Sequence, residues 1–381
     1  MSVRLQQLKV AIVHEWFTSM RGGEKVVATL LKLFPQADVY ALLHKKGSVD
    51  AIIESRGVRT TFIDRLPFKN TRYPYYLPLF PTAIETFNLK DYDLVISSSH
   101  CVAKGVRVGP NTLHISYIHT PMRYVWDMYE NYFDPQRLNW VTRRLIPLFA
   151  NYLRMWDVTS AQRVDYFVAN SRHVARRVRK FYRRSATVIH PPVDTEQFPL
   201  STEKKDYYLV VTALVPYKRV DLAIAAANRK GFPLVVIGDG PEKKRLQAMA
   251  GTTVRFLPPL PQVEMVDYLQ HARALLFPGE EDFGITPIEA QSCGTPVIAY
   301  GRGGALETVV GHTPGNDATA SGVFFYQQTV EDLVAAIEQA ERIRWNYAFI
   351  HEHAQRFHTR FFLEAMEQFI LEKWQEHREQ A

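Results

Sequence analysis

Cysteine is nearly absent from this 381-residue chain: Cys101 and Cys293 are the only two, far apart and in no metal or redox spacing. That excludes a disulfide scaffold and leaves a reducing cytoplasm as the expected compartment. No apolar run reaches the roughly 18 residues of a membrane span. The N-terminal "MSVRLQQLKVAIVHEW" lacks a long apolar core and a small-residue cleavage site, so it is not expected to be a secretion signal. Short internal repeats and low-complexity tracts are missing too. No helix-turn-helix or single-strand-binding motif is found, so nucleic acid is not an expected partner. No Asp-x-Asp pair falls on a loop suited to a metal, and neither a metal nor any other cofactor is expected. What is present is a globular composition, with 46% hydrophobic residues. The length suits two domains rather than one core. A net charge of +7 favours polyanions such as nucleotides or phospholipid surfaces.

The first half starts with the apolar run "LKVAIVH", a loop with Arg21-Gly22-Gly23, and a helix predicted from Glu24 to about Leu33. "ADVYALL", "YDLVISSS", "HISYIH" and "VDYFVANS" follow as further short strands. The alternation of strands and helices predicts a parallel, doubly wound α/β sheet. The proline- and charge-rich "HPPVDTEQFPLSTEKKDYY" reads as an interdomain linker near 190–206. The pattern then restarts with "YYLVVTAL", "PLVVIGDGP", "TVRFLPPL", "RALLFPG" and "TPVIAY". From about Val330 the tail is helical in pattern. In open α/β sheets ligands bind beyond the carboxyl ends of strands. The loops Glu15–Gly23, His119–Pro121, Ala213–Arg219, Gly238–Glu242 and Glu281–Thr286 all follow strands and are expected to converge on one cleft.

The densest signal is "EDFGITPIEAQSCGTPVIAY", which sets Glu281 and Glu289 eight positions apart around Phe283-Gly284. "ARALLFPG" before it is a buried strand ended by Pro278-Gly279. Thr286 is read as N-cap, Pro287 as the first helical residue and Glu289 as the third, a capping box. Such a helix start offers free amides and a positive dipole end to a diphosphate. A capping box alone needs neither Glu281 nor the Phe-Gly pair.

Together these loops resemble glycosyltransferase family 4, retaining enzymes of the GT-B fold, over nearly the whole chain. "HTPMRYVWDMY", "NSRHVARRV", "HPPVDTEQF" and "ALVPYKRVDLAI" further resemble bacterial mannosyltransferases of surface polysaccharide assembly. The resemblance implies two facing Rossmann-like domains: residues 1–195 for the acceptor, 196–355 for the nucleotide-sugar donor, and a helix, 356–381, returning to the first domain. It implies that Gly22 and Gly23 approach the donor phosphates, and that His119 contacts the transferred sugar. Lys218, with Arg219 beside it, would pair with the diphosphate. Family members commonly carry arginine where this chain has Ala213. Gly238 would shape the nucleotide pocket and the backbone near Leu260 would meet the base. The amides of Phe283, Gly284, Ile285 and Thr286 would bind sugar and phosphate, Glu289 the ribose and Glu281 the sugar ring. Gly303-Gly304 and Glu307 would support the same pocket.

The implied chemistry moves a hexose, mannose from GDP-mannose on the narrower likeness, to a lipid-linked or oligosaccharide acceptor. The acceptor attacks the face from which the diphosphate leaves, so configuration is retained without a glycosyl-enzyme. The helical stretch "SRHVARRVRKFYRR" sets Val174, Val178 and Phe181 on one face and Arg172, Arg176, Arg179, Lys180, Arg183 and Arg184 around the rest. That basic amphipathic pattern fits an anionic inner-leaflet surface or a packed helix with a solvated face. The aromatic "FKNTRYPYYLPLF" would add membrane contact or fold beneath the cleft. Competing readings are a GT-B sugar-nucleotide epimerase or phosphorylase, and a non-catalytic nucleotide-binding protein.

Overall fold

Short apolar runs form the strands because both of their faces are covered, as parallel sheets require. The computed structural model describes residues 5–129 and 140–380, apart from the side chains of 141–143 and 380. The first strands are β1 (Val10–Phe17), β2 (Asp38–His44), β3 (Arg59–Thr60), β4 (Asn88–Leu89), β5 (Leu94–Ser99), β6 (Arg107–Val108), β7 (Leu113–Ile118), β8 (Tyr166–Ala169) and β9 (Thr187–Val188). Seven of them make one parallel sheet in the order β3-β2-β1-β5-β7-β8-β9, while β4 and β6 pair separately. A second parallel sheet runs β12-β11-β10-β13-β14-β15. Its strands are β10 (Tyr208–Val211), β11 (Leu234–Ile237), β12 (Val254–Leu257), β13 (Leu275–Phe277), β14 (Val297–Tyr300) and β15 (Gly322–Phe325).

Alternation along each strand divides the cores. Val10 and Ile12 of β1, Val39 of β2 and Ile96 of β5 face one cluster; Ala11, Val13, Leu42 and Val95 face another. The second sheet repeats this, with Val210, Val236 and Leu276 on one side and Leu209, Val235 and Leu275 on the other. Both sheets are therefore doubly wound, two Rossmann-like units.

The chain divides into unit 1, Met1–Pro192 with Phe362–Ala381, and unit 2, Val193–Phe361. The tail is three helices, Val330–Arg342, Tyr347–Gln355 and Thr359–Gln380. In the last, Phe362, Met366, Phe369, Ile370 and Trp374 recur at helical spacing and are buried in the core around Ile12, Leu30 and Val39 of unit 1. Each buried side chain of this kind contributes about 1.5–3 kcal/mol, enough to hold the chain's end on the unit that contains its beginning.

The proline-rich stretch read as a linker is packed. Val193, Thr195 and Phe198 are buried, and Lys204 Nζ donates to Gln270 O at 2.6 Å and Thr295 Oγ1 at 2.7 Å. Prolines there remove amide donors without preventing burial of the apolar side chains between them.

Candidate active site

In unit 2 the strand order reverses between β10 and β13, and loops after those strands form the crevice where such sheets bind ligands. The loop after β10 ends in a 3-10 turn, Pro216–Lys218, and the loop after β13 carries Glu281. Lys218 Nζ forms an ion pair with Glu281 Oε1, both side chains largely covered. Glycine permits the approach: a Cβ on Gly279 would lie 2.8 Å from Lys218 Cα and 2.9 Å from Tyr217 O. From the other side, Gly303 and Gly304 press on the same loop. Their Cβ atoms would meet Glu281 O at 2.3 Å and Phe283 Cα at 2.2 Å, and the Gly304 amide donates to Glu281 O at 2.8 Å.

Gly238 and its neighbours tie the loop after β11 to the one after β10. Thr212 N donates to Ile237 O at 3.1 Å and Leu214 N to Asp239 O at 2.9 Å. A Cβ on Gly238 would fall 1.9 Å from Thr212 O. Leu260 lies after β12, two strands from the reversal, half-buried against the core of that face.

The helix after Glu281 differs from its sequence reading. It spans Ile285–Ser292, and its N-cap is Gly284 at φ +93°, with no side-chain cap. Thr286, Pro287 and Glu289 are thus its second, third and fifth residues, so the predicted capping box does not form. Glycine's left-handed conformation starts the helix two residues earlier than a threonine cap would. The free amides of the first turn belong to Ile285 and Thr286. Glu289 stands on the second turn, half-buried. Phe283 is buried, its ring 5.7 Å from that of Phe357. Arg219 adopts φ +52° before the helix Val220–Lys230. Its guanidinium is held by Asp221 (Nε to Oδ1, 3.2 Å) and donates to Gln328 Oε1 at 3.3 Å, while Ala213 is exposed.

Unit 1 reverses its strand order between β1 and β5. There Glu15, read as the first residue of a loop, lies inside β1, and His14 and His100, which the sequence reading passed over, stand beside His119. Glu15 is fully buried and accepts hydrogen bonds from Ser99 Oγ and the amides of His100, Cys101, Val102 and Ala103, at 2.7–3.1 Å. Burial pushes its carboxyl up, but His100 and the Val102 and Ala103 amides outweigh that and hold it below the ordinary range. Glu24 is opposed by burial and likewise brought down by His14, whose Nε2 is 3.8 Å away. His119 follows β7, its Nε2 2.8 Å from Ser98 Oγ. The rings of His14, His100 and His119 lie 6.0–6.5 Å apart. Burial first, then His100 and His14, keeps His119 well below the usual histidine range.

Gly22 and Gly23 are the first two residues of a helix, Gly22–Leu33, not of a loop, and neither has positive φ. Gly23 is constrained by space instead: its Cβ would lie 2.9 Å from His14 Cε1 and 3.6 Å from His119 Nε2. One signal could have exposed this cluster: a His-Glu pair inside a strand buried on both faces needs partners. In the basic helix, Arg172–Tyr182, Arg177 is buried and bonded to Thr120 Oγ1 at 2.6 Å and to Asp127. Arg176, Arg179, Lys180 and Arg183 are exposed.

Among the described residues one group, Asp194, Glu196 and His358, brings three ligand atoms together. There the Arg360 amide donates to His358 Nδ1 at 3.1 Å, so the ring proton sits on Nε2, 3.3 Å from Glu196. Glu196 is exposed, and its contact with His358 is a surface ion-pair contact. No helix of the described residues is long and apolar enough to cross a membrane.

Comparison with known proteins bears on both units. Residues 193–358 match the family model "Glycosyl transferases group 1", and residues 20–197 match "Glycosyltransferase Family 4". A D-inositol 3-phosphate glycosyltransferase of Acidothermus cellulolyticus is 34% identical over 170 residues, 36% of this chain and 38% of the relative. D-inositol 3-phosphate glycosyltransferase 2 of Catenulispora acidiphila is 28% identical over 230 residues, 48% and 53% of the two chains. The chain thus spans about half or less of these relatives' length. Sucrose-phosphate synthase of Thermosynechococcus elongatus aligns with a TM-score of 0.69 at 16% identity, covering 96% of this chain and 99% of that one. HepE of Anabaena, solved with UDP and glucose, gives 0.68 at 16% identity, with the same coverage. At such identity the likeness is one of fold.

Proposed function

With glycosyltransferase-family sequence running through both units, we propose that this protein is a retaining hexosyltransferase using a nucleotide-sugar donor. The observation that carries the reading is the Lys218–Glu281 pair at the strand reversal of unit 2. Breaking a sugar–phosphate bond places charge on the departing diphosphate, and a positioned cation stabilises it where water is excluded. Lys218 would exchange Glu281 for the diphosphate, releasing the Glu281 carboxylate to the sugar ring. The amides at the start of helix Ile285–Ser292 would add donors to the phosphates. Glu289 would accept from the ribose hydroxyls. The diphosphate itself takes the acceptor's proton, so this route calls for no divalent metal.

Mannose from GDP-mannose is the donor the narrower sequence likeness supports, with a lipid-linked or oligosaccharide acceptor in polysaccharide assembly. The D-inositol 3-phosphate glycosyltransferases among its relatives favour a second acceptor class, a phosphorylated cyclitol. The exposed cations of helix Arg172–Tyr182 would draw unit 1 to an anionic cytoplasmic membrane face. Helix Trp140–Ala161 adds apolar residues at helical spacing, Leu145, Leu148, Phe149, Tyr152 and Met155, with Leu148 68% exposed.

The test is a thermal-shift screen of sugar nucleotides followed by product analysis with each acceptor class. One donor should stabilise selectively and yield an α-linked product from an α-linked donor. An inverted product ends the retaining reading; no donor binding ends the enzyme reading.

A further inference from the structure

His119 sits at the end of a hydrogen-bonded chain whose direction can be read from its first link. His14 is fully buried, and its Nδ1 lies 3.1 Å from Ser98 O and 3.1 Å from Ser98 Oγ. A carbonyl oxygen only accepts, so His14 Nδ1 carries a proton. That proton is shared with Ser98 Oγ, which leaves the serine's own hydroxyl proton for its other neighbour, His119 Nε2, at 2.8 Å. Ser98 Oγ has a second lone pair, but pairing its hydroxyl proton within the structure makes His119 Nε2 the acceptor. In a neutral imidazole the remaining proton must then be on Nδ1. The ring is only partly buried, and its Nδ1 makes no hydrogen bond among the described residues.

We propose that Ser98 is a positioning residue that, with His14 behind it, fixes His119 in the Nδ1-protonated tautomer and turns that N–H outward as a donor to a ligand oxygen. The ligand class this suits is a sugar hydroxyl or a phosphate oxygen, and the assignment rests on the glycosyltransferase reading above. A donor at this nitrogen orients a sugar; it does not remove a proton. Burial and the neighbouring histidines keep His119 neutral, as the chain requires. Gly23 protects the arrangement, because a Cβ there would press on the His14 ring, at 2.9 Å from its Cε1. His14 is anchored by its bond to Ser98 O and by stacking on Phe17, ring centroids 5.1 Å apart.

The tautomer can be read without any activity. In the full chain labelled with ¹⁵N-histidine, long-range ¹H–¹⁵N correlation distinguishes the two tautomers, and His119→Gln identifies the signals. The wild type should show His119 protonated on Nδ1. Ser98→Ala should move it toward the Nε2-protonated form, while Ser98→Thr, which keeps the hydroxyl, should restore the wild-type pattern. Ser98→Ala should also slow sugar transfer by roughly 3- to 10-fold, the worth of one neutral hydrogen bond, with threonine rescuing it. A wild-type His119 protonated on Nε2, or on both nitrogens, overturns the proposal, as does an unchanged tautomer in Ser98→Ala. Absence of transfer with the Nδ1 tautomer in place would instead remove the glycosyltransferase reading and leave the chain intact.

Discussion

The two sheets reverse strand order at equivalent points but furnish them with different chemistry. In unit 1 the reversal between β1 and β5 holds a cluster of histidines, His14 fully buried, and a carboxylate wrapped by amides. In unit 2 the reversal between β10 and β13 holds a lysine paired with one partly accessible glutamate. The first is a rigid polar framework. Glu15 has its acceptor sites filled, and moving it strands several amides at once. The second is an exchangeable pair, because a lysine with one anionic partner can trade it for another. A shared topology thus supplies the crevice, and the residues lining it decide whether it is a scaffold or a site for a mobile anion.

The largest break in this contrast is expected at Glu15. Glu15→Ala leaves four amides, three of them buried, without an acceptor and should destabilise unit 1 by about 3 kcal/mol or more, at about 1–3 kcal/mol per stranded group, read as a lower denaturant midpoint. Lys218→Ala should do the reverse, sparing the thermal midpoint while lowering turnover about 100- to 1,000-fold; wild-type turnover removes its assigned role. Acid should separate the units next. Burial keeps His100, His114 and His119 below the usual histidine range, His114 at about 3. Between their folded values and about 6.5 the unfolded chain binds more protons, so stability falls as pH falls through that window. Glu15 and Glu24, both depressed, add a further loss below about 4.5. In unit 2 His353 is the one described histidine shifted this way. Hydrogen exchange at pH 5 should therefore show unit 1 opening first. Arg219→Ala should cost about tenfold or less in turnover, since Asp221 and Gln328 already occupy the guanidinium. The smallest effect is Thr286→Ala, within about 0.5 kcal/mol in stability, because Gly284 caps that helix; a loss above 1 kcal/mol would restore the threonine cap.

Much of the fold was legible because buried parallel strands open on apolar runs: "VAIVH", "LVISSS" and "LVVIG" announce themselves. The joining of Lys218 to Glu281 was legible only as two loops after two strands; Gly279 was read as a strand end and Gly303 as a pocket support, but the backbone atoms they press against were not. Thr286 misled because Thr-Pro-x-Glu fits a capping box locally, while a left-handed Gly284 wins by starting the helix earlier. Arg177, in the same helix as the basic set read from the sequence but not part of it, is held by Thr120 and Asp127, partners that only the fold brings near.

By itself, the sequence determined two α/β units, the strands that build them and the loops at their carboxyl edges, since these follow from local periodicity and turn chemistry. Tertiary structure alone decided which charges meet, which way a histidine carries its proton, and which glycines are indispensable. Those depend on atoms brought within a few ångströms from residues up to 85 or more positions apart, and no local pattern encodes such distances.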